Sequence, residues 1–129
     1  MTKRRPVVAV VDDDPRLLEA LEELLESAGY AVRTFSSGRS LLADGPSGFD
    51  ALITDIGMPD MDGFELRDAV TKACPGLPVF LITGRHEIAD QSRALGISGF
   101  FRKPFDGQVL LAAIGDALPE QKRRVNNES

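Results

Sequence analysis

Five side chains suited to phosphoryl chemistry each follow a stretch of sequence that is typical of a buried strand. Asp12 and Asp13 follow the first such stretch, Asp55 the third, Thr83 the fourth and Lys103 the fifth. If the strands are parallel, their carboxyl ends lie along one edge of the sheet and these side chains converge there. Carboxylate and hydroxyl oxygens bind hard cations such as Mg²⁺, and a metal with an ammonium group stabilises the charge of a phosphoryl group in transfer. The sequence therefore predicts a Mg²⁺ site that handles phosphoryl groups.

Asp55 is the candidate nucleophile of this site, because a carboxylate can form an acyl phosphate. Mg²⁺ would keep Asp55 ionised beside Asp12 and Asp13, and Lys103 and Thr83 would hold the phosphoryl oxygens. A single Asp at a strand end is more often a turn or cap residue, so the interpretation depends on the whole set. The next carboxylate, in Asp14-Pro15, has a sufficient structural role as helix N-cap followed by the first helical residue.

The elements that must position these residues alternate along the chain. Apolar, β-branched stretches predict strands at 7–11, 30–35, 51–54, 78–82 and 99–102. Apolar residues at helical spacing predict helices between the strands and after the last one, the weakest of them at 86–95. This alternation predicts one α/β domain with a doubly wound, five-stranded parallel sheet and five helices on its two faces.

Charge and composition limit the possible partners and location. Six of the 15 basic residues but only two of the 20 acidic residues lie in 1–5 and 119–129, so the remaining body carries about −9. Such a body repels nucleic acid and favours a cation. No stretch is long enough to span a membrane and the first residues show no signal peptide. With Cys74 as its single cysteine, the chain is expected in the cytoplasm without a disulfide.

The chain resembles the receiver domain of two-component response regulators from about residue 7 to residue 118. The motifs that carry the resemblance are Val11-Asp12-Asp13, Asp55 with Met58-Pro59 and Asp62-Gly63, Thr83, and Lys103-Pro104-Phe105. Residues 58–63 and 81–84 are most similar to the nitrogen-fixation-type transcription regulators. The resemblance implies a flavodoxin-like strand order of 2-1-3-4-5. The expected division is a tail at 1–5, the receiver domain at 6–118, and a tail or the start of a linker to an output domain at 119–129.

The resemblance also implies roles for the site residues. Asp55 would accept a phosphoryl group from a sensor histidine kinase or phosphotransfer protein. Mg²⁺ would be bound by Asp13, Asp55 and the backbone carbonyl of Gly57, with Asp12 acting through water. The domain would then be a signalling phosphoacceptor that assists its own phosphorylation and dephosphorylation, and it would control an output that is transcriptional in the similar regulators.

A switch follows from the same resemblance. Phe100, three residues before Lys103, matches the aromatic residue that changes rotamer together with Thr83, and the Lys103-Pro104 bond is often cis in the family. We expect the signal to appear on the face formed by the 86–95 helix, the fifth strand and the last helix. Leu111 and Leu118 are expected on this face, away from the core, and phosphorylation is expected to favour a two-fold dimer through it.

Other classes of protein remain to be weighed. Val11-Asp12-Asp13-Asp14 also matches the start of a small haloacid-dehalogenase-like phosphatase, with Asp12 as nucleophile and Asp14 as acid, although Asp55 would then have no role. Neither glycine fingerprint of nucleotide-binding proteins occurs. A hydrolase would depend on His86 alone, without a nucleophile elbow before it. A purely structural interaction domain leaves the converging side chains unexplained.

Overall fold

The computed structural model describes residues 5–84 and 98–118. In chain order the elements of this part are β1 (Val7–Val11), α1 (Pro15–Ser27), β2 (Ala31–Phe35), α2 (Gly38–Asp44), β3 (Ala51–Asp55), α3 (Gly63–Ala73), β4 (Val79–Thr83), β5 (Gly99–Arg102) and α4 (Gly107–Ala117). The helix predicted at 86–95 lies outside the described residues, so α4 is the last of the helices predicted from the sequence.

The strands form one parallel sheet in the order β2-β1-β3-β4-β5. Every residue of β3 and β4 is buried, as are four of the five residues of β1. Their β-branched sequences fit this position, because a strand covered on both faces needs apolar side chains at every residue. The predicted doubly wound sheet and its strand order are confirmed.

Two apolar layers lie on the two faces of the sheet, because alternate residues of a strand point in opposite directions. Val8 and Val10 belong to one cluster, which includes Leu21 of α1 and Ile114 of α4; its remaining fully buried members include Leu25, Ile53, Phe80, Ile82 and Leu110. The other layer contains Ala9, Val11, Leu52 and Leu81 of the sheet with Leu41, Phe64, Leu66 and Val70 of α2 and α3. Both layers fix the strands whose ends carry the candidate site.

Local hydrogen bonds define where the helices begin and end. The carboxylate of Asp14 accepts a hydrogen bond from the amide of Arg16 at 3.0 Å, and Pro15 is the first residue of α1. The predicted N-cap is therefore confirmed. Gly29 follows α1 with a φ of +97°, a left-handed conformation that glycine adopts at little cost. The α1 helix therefore starts immediately after the carboxylates of the site.

The end of α4 differs from the prediction. Leu118 is buried, with 8% exposure, and Leu111 packs against the same core cluster as Ile114. Leu118 is the C-cap, with φ −107° and ψ 69°, so it leaves the helical rotation and its side chain turns into the core. The expectation that Leu111 and Leu118 lie on a solvent-facing side is wrong. Among the described residues, the exposed large apolar side chains are instead Phe100 and Val109.

Candidate functional site

The carboxyl ends of β1, β3, β4 and β5 bring the predicted residues together at one edge of the sheet. Asp55 and Thr83 are the last residues of β3 and β4, while Asp12 and Lys103 directly follow β1 and β5. Asp12, Asp13 and Asp55 each offer a carboxylate oxygen, and these oxygens lie within 4.8 Å of one another. The parallel register therefore produces the convergence that the sequence predicted.

Lys103 contacts two of the three carboxylates. Its Nζ lies 3.2 Å from Oδ2 of Asp12 and 3.3 Å from Oδ1 of Asp55. The backbone of Lys103 is fixed as well, because its amide donates to the carbonyl of Thr83 at 2.7 Å and the following bond to Pro104 is cis. The ammonium group thus partly compensates the repulsion between the carboxylates of Asp12 and Asp55.

Asp12 has both oxygens engaged. Oδ1 accepts the backbone amide of Asp14 at 2.8 Å, Oδ2 accepts from Lys103, and the residue is 1% exposed. Asp13, by contrast, is exposed. The two neighbouring carboxylates therefore differ in the access they give to a ligand.

Burial and charge determine how these groups ionise. Burial raises the pKa of Asp55, although Lys103 opposes the shift, and the charge of Asp13 adds to it. Burial also raises the pKa of Asp12, against the hydrogen bond from Asp14 and with the help of Asp55. For Lys103, burial lowers the pKa, but the two carboxylates outweigh this effect and the pKa is raised. Among the described residues, three carboxylates are grouped with one ammonium group, which contacts two of them, so the site favours an additional cation.

This donor set fits Mg²⁺, which prefers oxygen ligands and keeps several waters. Gly57, two residues after Asp55, is exposed and is the central residue of a tight turn, in which the amide of Met58 donates to the carbonyl of Ile56 at 3.0 Å. The net negative charge of the cluster and its oxygen donors therefore support the predicted metal.

The two residues of the predicted switch lie on neighbouring strands. Thr83 is 3% exposed at the end of β4, and Phe100 is 36% exposed on β5. Phe101 faces the other way, with its ring centroid 6.4 Å from that of Phe80 in the core. Phe100 therefore lies on the side of β5 opposite to the contact between Phe101 and Phe80.

Sequence reasoning missed the part of α3 that holds the Asp55 strand. A Cβ added to Gly63 would lie 2.5 Å from the backbone oxygen of Asp55, and the amide of Gly63 donates to the carbonyl of Ile56 at 3.0 Å. Asp62 and Glu65 form a capping box at the same helix end. The spacing of Asp62 and Glu65 could have been recognised as a helix start, whereas the close approach at Gly63 is a tertiary contact.

The geometry is matched by a known family. The sequence profile of the response regulator receiver domain matches residues 8–115. The chain belongs to this family. Receiver domains are signalling phosphoacceptors of two-component systems, and they are not classical enzymes.

Relatives of this receiver domain include transcriptional response regulators. The response regulator protein TmoT of Ectopseudomonas mendocina is 37% identical over 128 residues, which cover 95% of this chain and 58% of TmoT. The DNA-binding transcriptional regulator NtrC of Rhizobium meliloti is 36% identical over 122 residues, which cover 91% of this chain and 25% of NtrC. The chain thus spans between a quarter and three fifths of these relatives. Such names agree with the predicted resemblance to nitrogen-type transcription regulators.

Solved structures agree with the fold. A CheY-like receiver domain protein from Methanospirillum hungatei superposes with a TM-score of 0.85 at 29% identity, covering 94% of this chain and 99% of that one. The crystal structure of FixJ-N gives a TM-score of 0.79 at 31% identity, and the match covers 91% of this chain and 96% of that one.

The phosphatase alternative is not favoured. The family match assigns the chain elsewhere, and Asp14, the acid in that alternative, caps α1. Asp12, its nucleophile, has both oxygens in hydrogen bonds.

His86, on which a hydrolase would depend, lies outside the described residues. No helix in the described part of this receiver domain is long and apolar enough to cross a membrane.

Proposed function

We propose that Asp55 accepts a phosphoryl group from the phosphohistidine of a sensor histidine kinase or phosphotransfer protein. The observation that carries this proposal is the position of the Asp55 carboxylate, at the end of β3, 3.3 Å from Lys103 and grouped with Asp12 and Asp13. Asp12 is less suited to the role, because Asp14 and Lys103 occupy its oxygens.

In the transfer, an oxygen of Asp55 attacks phosphorus while the phosphorus–nitrogen bond of the donor breaks, and the electron pair of that bond stays on the imidazole. Lys103 stabilises the charge on the phosphoryl oxygens and the Thr83 hydroxyl donates to one of them. Asp13, Asp55 and the Gly57 carbonyl would hold Mg²⁺ directly and Asp12 would hold it through water. The bound ion would neutralise negative charge as the phosphoryl group approaches Asp55.

The same groups assist the loss of the phosphoryl group to water, which makes the signal temporary. While Asp55 is phosphorylated, Thr83 and Phe100 change position and alter the face that includes β5 and α4. In the whole protein this face controls an output that is transcriptional, as the names of the relatives suggest. The domain acts in the cytoplasm. It does not itself bind nucleic acid, because its body is strongly acidic.

Mass spectrometry after incubation with Mg²⁺ and acetyl phosphate tests the assignment of Asp55. The wild-type protein should gain one phosphoryl group, and Asp55→Asn should gain none because the amide cannot form an acyl phosphate. Asp68→Asn, which changes an exposed carboxylate on α3, is the matched control and should label normally. Labelling of Asp55→Asn at the wild-type rate would refute the assignment.

A further inference from the structure

The loop between β3 and α3 (residues 56–62, here the β3–α3 loop) contains two successive three-residue turns. The first is centred on Gly57 and closed by the amide of Met58 on the carbonyl of Ile56. The second is centred on Asp60 and closed by the amide of Met61 on the carbonyl of Pro59 at 2.8 Å. The φ of Asp60 is +74°, which corresponds to the rare and strained γ-turn and is unusual for a residue other than glycine.

A strained turn persists only where surrounding contacts hold it, and α2 supplies two such contacts. Nε of Arg39 lies 2.5 Å from Oδ2 of Asp60. One residue earlier in α2, the missing side chain of Gly38 leaves space for Met61, whose Sδ would be only 2.9 Å from a Cβ at that position. The second turn is therefore held from the side by an ion pair and by a close apolar contact.

The first turn has anchors of its own. Met58 is 7% exposed and belongs to the core cluster that also contains Leu41 of α2. The carbonyl of Ile56 accepts hydrogen bonds from the amides of Met58 and Gly63, and the amide of Ile56 donates to the carbonyl of Ile82 at 2.9 Å. Between Met58 and Gly63, the contacts of Asp60 and Met61 with α2 hold the chain together with the capping box of Asp62 and Glu65.

We propose that Arg39 and Asp60 are positioning residues that set the affinity of the site for Mg²⁺ by holding the β3–α3 loop against α2. This inference rests on the proposed function, in which the Gly57 carbonyl is a metal ligand. The Arg39–Asp60 pair is exposed, at 67% and 61%, so it contributes little to global stability. Loss of this ion pair should instead change the position of the β3–α3 loop.

The direct test is a titration of the protein with MgCl₂, followed by NMR through the amide shift of Gly57, for Arg39→Gln, Asp60→Asn and the double variant. Asn tolerates the left-handed conformation as Asp does, so the backbone preference at this position is kept. Each single variant should bind Mg²⁺ about two- to fivefold more weakly, the range that corresponds to losing an exposed ion pair. The double variant should bind no more weakly than the weaker single variant.

Asp44→Asn is the matched control. It breaks another exposed ion pair of α2, in which Arg33 lies 2.9 Å from Asp44, but this pair is not in the β3–α3 loop. The control should leave Mg²⁺ affinity unchanged, and melting temperatures of all variants should stay within ~2 °C of wild type. Unchanged affinity in Asp60→Asn, an equal loss in Asp44→Asn, or additive losses in the double variant would overturn the inference.

Phosphorylation by acetyl phosphate supplies a second readout. The Mg²⁺ concentration for half-maximal rate should rise in Asp60→Asn by the same factor as the dissociation constant, while the rate at saturating Mg²⁺ stays at the wild-type value. A lower rate at saturating Mg²⁺ with an unchanged half-saturating concentration would also contradict the inference. If wild-type Asp55 takes no label but Mg²⁺ binding shows the expected pattern, the proposed function fails and the positioning role stands.

Discussion

Asp12 and Asp55 are carboxylates whose burial raises their pKa, so their charged forms cost folding free energy in the metal-free protein. A group with a raised pKa in the folded state contributes stability below its unfolded pKa, and this contribution is lost as the pH rises through its folded pKa. Metal-free protein should therefore lose stability from about pH 4 upward through the range in which these two groups ionise. Lys103 stays charged throughout this range, because its pKa is raised.

Asp12→Asn removes one of these charges while its side-chain oxygen can still accept the amide of Asp14. Metal-free Asp12→Asn should be more stable than wild type at pH 7 by about 1 kcal/mol, or ~4 °C in melting temperature, and its stability should depend less on pH. Thermal denaturation from pH 4 to pH 8 with a chelator measures both effects. Asp68→Asn, an exposed carboxylate, should follow the wild-type curve. A destabilised Asp12→Asn would show that pairing with Lys103 outweighs the burial of charge.

Single residues of the site were predictable from the sequence to the extent that a strand end fixes their position. The sequence predicts that Asp55 and Lys103 lie at one edge of the sheet, and their charged groups are 3.3 Å apart. The pair formed by Arg39 and Asp60 was not predicted, because 21 residues separate the two and neither belongs to a recognisable pattern. Which exposed charges meet depends on how α2 lies against the loop.

At the scale of elements, the first turn of α3 forms a rigid support for the end of β3. Gly63→Ala would place a Cβ 2.5 Å from the backbone oxygen of Asp55 and 2.9 Å from Cα of Ile56. Backbone atoms cannot rotate away, so either α3 or the strand end must shift, at a cost of about 1–3 kcal/mol. We expect Gly63→Ala to lower stability by this amount in urea denaturation and to slow labelling of Asp55 by acetyl phosphate.

Gly115→Ala in α4 provides the control, since among the described residues its new Cβ meets only the Tyr30 hydroxyl, at an ordinary 3.9 Å. Alanine is a better helix former than glycine, so this variant should gain roughly 0.5–1 kcal/mol. Equal stability of the two variants would show that the approach of α3 to the Asp55 strand is not restrictive.

The elements themselves were largely predictable, because their signals are local. The sequence alone predicts the β-branched strands and the Asp14 cap. The error at Leu118 arose where the signal ends. The helical spacing of apolar residues continues to Leu118, but the backbone of Leu118 is no longer helical and its side chain enters the core.

At the scale of the whole molecule, an interface that transmits the signal can use only those apolar side chains that are not buried in the core. Leu118 is buried and Leu111 is partly buried against the same core cluster, so neither offers a fully exposed apolar side chain. Phe100 on β5 and Val109 on α4 are exposed, at 36% and 54%. Single exposed apolar residues are common, but these two lie on the two described elements of the face on which the signal was expected.

We expect phosphorylation to favour a two-fold dimer that buries Phe100 and Val109, because coupling of a few kcal/mol is enough to shift a mostly monomeric population. Sedimentation velocity should show monomers without a phosphoryl mimic and dimers with beryllofluoride, which occupies the phosphoryl position on Asp55. Val109→Glu should abolish the dimer without unfolding the protein, whereas Leu111→Glu would confound the result by disturbing the core. Thr71→Glu, an exposed substitution on α3, should dimerise normally. Monomers under both conditions at high micromolar concentration, or a dimer insensitive to Val109→Glu, would rule out this interface.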